Sequence, residues 1–241
     1  MQTERQYLED TYQFSCPAKI QATHQDSEGS YMLLDKTIFY PQGGGQPSDQ
    51  GTIIAGGLII PIQKVKHVEN EIKHYTDRSY SHLVGQNVEC AISKETRLLH
   101  SKLHTAGHLI SHIVEKLHPN WSAQKGHHFP KECYIEFISK AEDLEACAFE
   151  EINQEIKQCI YKNYSIETLD TSKDEFSKFC PNIDFAIPNT PSIRLMRIEG
   201  FPYQPCGGTH IKGLEELAGL EIIKFKRKGK TLKVHYEIKS D

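Results

Sequence analysis

The residues best placed to do chemistry are His104 and His108 in His104-Thr105-Ala106-Gly107-His108, and Cys206 and His210 in Cys206-Gly207-Gly208-Thr209-His210. In each pair one metal-type ligand follows another by four positions. On a helix that step turns about 400°, so the side chains stand about 40° apart, one turn apart, on one face. Two imidazoles so placed can hold one Zn2+. The second pair adds a thiolate and a third imidazole, completing the N and S donor set that zinc prefers. A lone histidine is more often solvated or hydrogen-bonded. Two ligand pairs in one chain favour a metal centre. Histidines also stand at 100 and 112. The drift of about 40° per step puts His100 and His112 about 120° apart, so those two cannot share one ion. Gly107 costs roughly 1 kcal/mol against alanine in a helix interior, which implies a packing or access reason for it.

These ligands need a rigid frame. Residues 93 to 118 read as a helix, with Leu98, Leu99, Leu103, Ala106, Leu109, Ile110, Ile113, Val114 and Leu117 at helical spacing and Pro119 as its stop. Before it, short alternating runs recur at Tyr12–Ala22, Tyr31–Leu34, Thr52–Ala55, Leu58–Val68, Ile72–Tyr75 and Val88–Ile92, separated by Gly- and Pro-bearing turns. Many short strands with frequent turns predict a small β-barrel domain over 1–92. Residues 93–241 predict a second, α+β domain. It holds strands at Glu132–Ile138, Tyr164–Leu169 and Ile193–Ile198, and a helix at Ala141–Tyr161 capped by Ser139. Ser172-Lys173-Asp174-Glu175 reads as a capping box for a short third helix. A terminal hairpin joins Glu221–Arg227 to Leu232–Ile238.

The chain has 241 residues, 38% hydrophobic and 25% charged, with a formal charge of −4. Any nucleic-acid contact must therefore use a local basic patch. Apolar runs are too short to span a membrane, and Met1-Gln2-Thr3-Glu4 begins no signal peptide. Seven scattered cysteines argue against a disulfide framework and for a reducing, cytoplasmic setting.

The two ligand motifs, with Leu109 and Ile110 after the first, resemble the editing-domain signatures of alanyl-tRNA synthetase, whose fold family includes the editing domain of threonyl-tRNA synthetase. The run from Thr37 to Gly51, with Gly43-Gly44-Gly45-Gln46 at its centre, resembles the Gly-rich segment that precedes that editing core. Gln124-Lys125-Gly126 resembles the segment between the two metal motifs, and Ile193–Ile198 the strand before the Cys motif. Four matches in one order cover about residues 30 to 240. No aminoacylation domain fits this length, so the chain is similar to the free-standing alanyl-tRNA editing proteins of the AlaX type with an N-terminal β domain. That resemblance implies ATP-independent hydrolysis, in trans, of tRNA(Ala) misacylated with Ser and possibly Gly, with Zn2+ on His104, His108, Cys206 and His210. Two departures stand out: Gly107 replaces a larger residue, and Phe201-Pro202-Tyr203-Gln204-Pro205 replaces an acidic approach to Cys206.

The substrate would be an aminoacyl ester. A buried polar group that bonds the serine hydroxyl would discriminate against alanine, because without that hydroxyl it goes unpaired. Thr105, Ser122 and Gln124 are candidates by proximity to the motifs, against ordinary capping or surface roles. Gly44, Gly45 and Gln46 either form a positive-φ turn or approach the acceptor end of the tRNA. Gly207 and Gly208 either form a tight turn or let backbone approach a ligand. Lys224, Lys226 and Lys228 on the hairpin would share a face and meet phosphates, or be merely solvated. Two other readings compete: a non-catalytic RNA-binding module with structural zinc, and a non-tRNA zinc hydrolase. Position 105 is Thr rather than the Glu of a His-Glu-x-x-His protease.

Overall fold

A computed structural model describes residues 3–139, 149–181, 190 and 192–239. The chain divides into two compact units, Met1–Ser101 and Lys102–Asp241.

In the first unit, strands β1 (Ser15–Asp26), β2 (Gly29–Leu34), β3 (Gly51–Ala55), β4 (Leu58–Ile62), β5 (Lys64–Val68), β6 (Glu71–Thr76) and β7 (Asn87–Ile92) form one sheet. Their order is β4-β3-β7-β1-β2-β6-β5, with every named pairing antiparallel. Among the described residues no ladder joins the edges β4 and β5, so hydrogen bonding does not close the expected barrel. The predicted strand Leu58–Val68 is broken at Gln63 into β4 and β5. Alternation buries Ile20, Met32, Leu34, Ile53, Ile60, Ile62 and Val65 in one core.

Helix α1 (Lys94–Leu117) begins where the Ser93 hydroxyl accepts the amide of Thr96, a side-chain N-cap. Its first turns belong to the first unit. There the fully buried Arg97 pairs with the fully buried Asp49 and donates to the carbonyl of Thr11 at 3.0 Å.

In the second unit, β8 (Trp121–Phe129), β9 (Glu132–Ser139), β12 (Leu220–Lys228) and β13 (Thr231–Ile238) form a sheet in the order β8-β9-β13-β12. A second sheet pairs β10 (Ile166–Thr171) with β11 (Ile193–Ile198), and β11 with Gln204–Pro205. Helix α2 (Phe149–Tyr161) packs Ile152 and Ile156 into the core shared with α1 and the four-stranded sheet. The expected start of that helix, at 141–148, lies outside the described residues. The third helix, α3, is a single turn at Phe176–Phe179. The Ser172 hydroxyl accepts the Glu175 amide at 3.3 Å in the turn before it, so Ser172 caps that turn and not the helix itself. Strands with few helices make a mixed α+β chain. No described helix is long and apolar enough to cross a membrane.

Candidate metal centre

Helix α1 carries His104 and His108 on one face, as their spacing requires, and the segment after β11 carries Cys206 and His210. The ligand atoms of all four lie within 4.8 Å of one another. His104 Nε2 and His108 Nε2 are 3.2 Å apart. Cys206 Sγ lies 3.7 Å from His104 Nε2, 3.4 Å from His108 Nε2 and 3.2 Å from His210 Nε2. A tetrahedron with zinc bond lengths has edges of about 3.3 Å between nitrogens and about 3.6 Å between sulfur and nitrogen. Four of the six separations are near these edges and the other two lie within 4.8 Å, so the four donors converge on one point, and the donor set suits zinc.

Electrostatics agree with ligation. Burial, aided by the neighbouring imidazoles, holds His104 and His210 well below the usual histidine range and His108 down to about 3. All three rings are thus neutral and carry a lone pair for a metal. Burial pushes the Cys206 thiol up, opposed by the Gly208 amide and the Arg194 charge.

Neighbouring groups aim the ligands. His210 Nδ1 and Thr105 Oγ1 are hydrogen-bonded at 3.0 Å, with Nε2 toward the cluster; a metal on Nε2 would make Nδ1 the donor. Thr105 is fully buried, so its hydroxyl serves His210 from behind. Arg194 Nη1 donates to the carbonyls of Cys206 at 2.8 Å and Gly208 at 3.0 Å, bracing the turn. The Gly208 amide lies 3.4 Å from Cys206 Sγ. The Gln204 side chain hydrogen-bonds both His108 and His112, the latter at 2.9 Å. His112 also stacks on Phe201 at 5.2 Å. The unusual segment before Cys206 is thus bound to the helix through Gln204 and Phe201.

The small size of Gly107 has a physical reason. A Cβ there would lie 2.2 Å from Cε1 of His128, and a Cβ at Gly126 would lie 2.3 Å from His128 Nε2. The His128 ring fills the slot between these glycines, 4.9 Å from the ring of His104. Tyr236 Oη donates to the Leu103 carbonyl at 2.9 Å, so it accepts from His128 Nδ1 at 2.6 Å. Burial holds His128 at about 4.

The other expected residues are dispersed. His100 is buried with Nδ1 unpartnered among the described residues, and it lies outside the cluster. Ser122 and Gln124 stand on β8, where the Gln124 amide donates to the Ser122 hydroxyl at 3.3 Å and Gln124 is the extra residue of a bulge. Gly43 and Gln46 exchange backbone hydrogen bonds around Gly44 (φ 54°) and Gly45 (φ 78°), a tight positive-φ turn within the first unit, and Gln46 is fully buried. At Gly207 an added Cβ would meet only open space. Lys224, Lys226 and Lys228 are exposed on one face of β12. Gln204, Arg194, His128 and Gly126 were not legible as a group, because they come from three separate strands, Gln204–Pro205, β11 and β8.

Residues 5–96 match the family model of tRNA synthetases class II (A), and residues 193–233 that of the threonyl and alanyl tRNA synthetase second additional domain. The alanyl-tRNA editing protein AlaX-M of Saccharolobus solfataricus is 30% identical over 98% of this chain and 99% of its own length. The AlaX-M protein of Methanosarcina mazei is 31% identical over 95% of this chain and 93% of its own. The alanine–tRNA ligase of Ignicoccus hospitalis is 29% identical over 93% of this chain but only 24% of the ligase.

Proposed function

The chain belongs to the alanyl-tRNA editing proteins of the AlaX-M type, and on that premise we propose that it is a zinc-dependent hydrolase releasing serine, and glycine, from misacylated tRNA(Ala) in trans. As a member of that family it is an enzyme, an aminoacyl-tRNA deacylase. The observation that carries the zinc is the convergence of three imidazole nitrogens and one sulfur, all within 4.8 Å of one another, a donor set that suits zinc.

Zn2+ held by all four side chains would have no open position, so it would polarise or orient a carbonyl or water only by expanding its shell or exchanging a ligand. The protein's own residues do the rest. Burial keeps the three imidazoles neutral. Thr105, Gln204 and Arg194 fix the directions from which the donors approach. Gly207, beside open space, leaves room for an ester to reach the cluster. With Thr105 committed to His210, a polar group that reads the serine hydroxyl is better sought at Ser122 or Gln124, and the Gly44-Gly45-Gln46 turn is the candidate for the acceptor end of the tRNA. Lys224, Lys226 and Lys228 are the candidates for phosphate contact. The β domain comprises residues 1–92 and the editing domain residues 93–241.

The test is release of labelled serine from Ser-tRNA(Ala), beside Ala-tRNA(Ala) and Ser-tRNA(Ser), with and without a chelator. Selective, chelator-sensitive loss from Ser-tRNA(Ala) is expected. No release from any of them, with zinc bound and the protein folded, would leave a structural-zinc RNA-binding module in its place.

A further inference from the structure

The four-stranded sheet buries one face against α1 and α2, while its other face carries exposed Lys125, Lys224 and Lys226 around half-buried His127, Tyr134 and Lys233 and a buried His235. Its register aligns the outer side chains in rows. Lys224, His235, Tyr134 and His127 form one row across all four strands, and Lys226, Lys233, Glu136 and Lys125 form the next. A bulge at Ile223 makes this possible. It lets Ile222 share the core face with Tyr236 while Lys224 turns outward with His235.

The first row continues an aromatic strip. His127 stacks on Phe129 at 4.4 Å and on Tyr134 at 5.0 Å, and Tyr134 lies 5.3 Å from His235. The Lys233 ammonium sits 4.1 Å over the Tyr134 ring. Two of the acidic groups on this face hold lysines loosely, Glu132 to Lys226 at 3.9 Å and Glu136 to Lys233 at 3.6 Å, while at its end Glu237 stands opposite Glu221, which pairs with Lys239. Exposed pairs of that length contribute little and screen easily. One atom on this face lacks a hydrogen bond among the described residues, Nε2 of His235, whose ring is 6% exposed.

A solvated sheet face does not need an aromatic strip, and a duplex cannot use one, because its base faces are already stacked. Unpaired RNA uses both features, bases on rings and phosphates on flanking lysines. We propose that this outer face binds an unpaired segment of RNA, with bases on the Tyr134–His127 strip and phosphates on Lys224, Lys226 and Lys233. The assignment rests on the reading of the chain as a tRNA-editing enzyme and adds to it a surface separate from the metal cluster.

The experiment is fluorescence anisotropy of the full chain with a labelled single-stranded RNA dodecamer and with the same strand annealed to its complement. The single strand is expected to bind several-fold more tightly than the duplex. Tyr134→Ala should weaken that binding roughly tenfold, while Tyr134→Phe retains it. Lys224→Ala with Lys226→Ala, both at exposed positions, should lower the salt slope by about 1.4, and this variant serves if Tyr134→Ala does not fold. Duplex binding equal to single-strand binding, or a salt slope unmoved by the lysine changes, would overturn the proposal. Wild-type deacylation is measured alongside. Oligonucleotide binding without deacylation would remove the enzymatic reading and keep this surface. Deacylation without oligonucleotide binding would do the reverse.

Discussion

The ring of His128 occupies the space that any side chain at position 107 would need: a Cβ on Gly107 would lie 2.2 Å from His128 Cε1. A helix-breaking residue in the middle of α1 is therefore matched to an imidazole on β8, pinned there by Tyr236.

The pairing predicts a reversal of sign. Gly107→Ala alone gains about 1 kcal/mol of helix propensity but overpacks the slot by about 1–3 kcal/mol, so the protein is destabilised or at best unchanged. In a His128→Ala background the same substitution becomes stabilising by about 1 kcal/mol. Urea denaturation of the four proteins of this cycle measures the coupling, and additive effects would show that the two sites do not share the space.

Metal uptake should depend on pH through Cys206. Burial raises its thiol, so ligation must expel a proton. Zinc affinity, followed by competition with a chromophoric chelator, is expected to climb about tenfold per pH unit from pH 6 to 8. Cys206→Ala should lower zinc content and deacylation together. A flat affinity profile would exclude the thiolate as a ligand.

Thr105→Val removes the acceptor of His210 Nδ1 while keeping the side chain's shape. The expected result is a 10- to 100-fold loss of zinc affinity with the fold retained by circular dichroism. Unchanged affinity would mean that the His210 ring is held by packing alone.

Stability should also fall in acid because of His74. This ring is fully buried in the first unit, accepting from Thr37 Oγ1 at 2.8 Å and donating to the Met32 carbonyl at 3.2 Å. Desolvation lowers it from 6.5 to about 4. The unfolded ring thus takes up a proton that the folded ring refuses. The stabilisation is fully present above about pH 6.5 and is lost as the pH falls toward 4, on the order of 3 kcal/mol in all. Denaturation midpoints at pH 7 and pH 5 measure it, and His74→Gln should flatten the difference. An equal slope in that variant would assign the acid loss to other groups.

Much of the scaffold was legible because single-element periodicity reports local burial. Helix α1 and strand β11 stand within one residue of where their spacing put them. Strand β8 escaped notice because Ser122, Gln124 and Lys125 are polar and the Gln124 bulge breaks the alternation. On β12 a strict two-residue period would put Lys224 beside Ile222, and only the bulge at Ile223 separates them. Asp49 and Arg97 gave no signal either, since 48 positions separate two charges that are both fully buried.

By itself the sequence determined the His104–His108 pair, since a step of four residues on a helix is a local geometric fact, whereas Cys206 and His210 lie on irregular backbone and were legible only as a motif. It also determined the helix that carries one of them and, through motif order, the family. Tertiary structure alone decided that the pairs meet, with Cys206 Sγ 3.4 Å from His108 Nε2 across 98 residues of chain. It likewise decided that Thr105 serves His210, that Gln204 holds His108, and that Gly107 is small for the sake of His128. Each of these depends on a contact between distant segments. Such contacts are set by packing the whole core and leave no periodic trace in either segment.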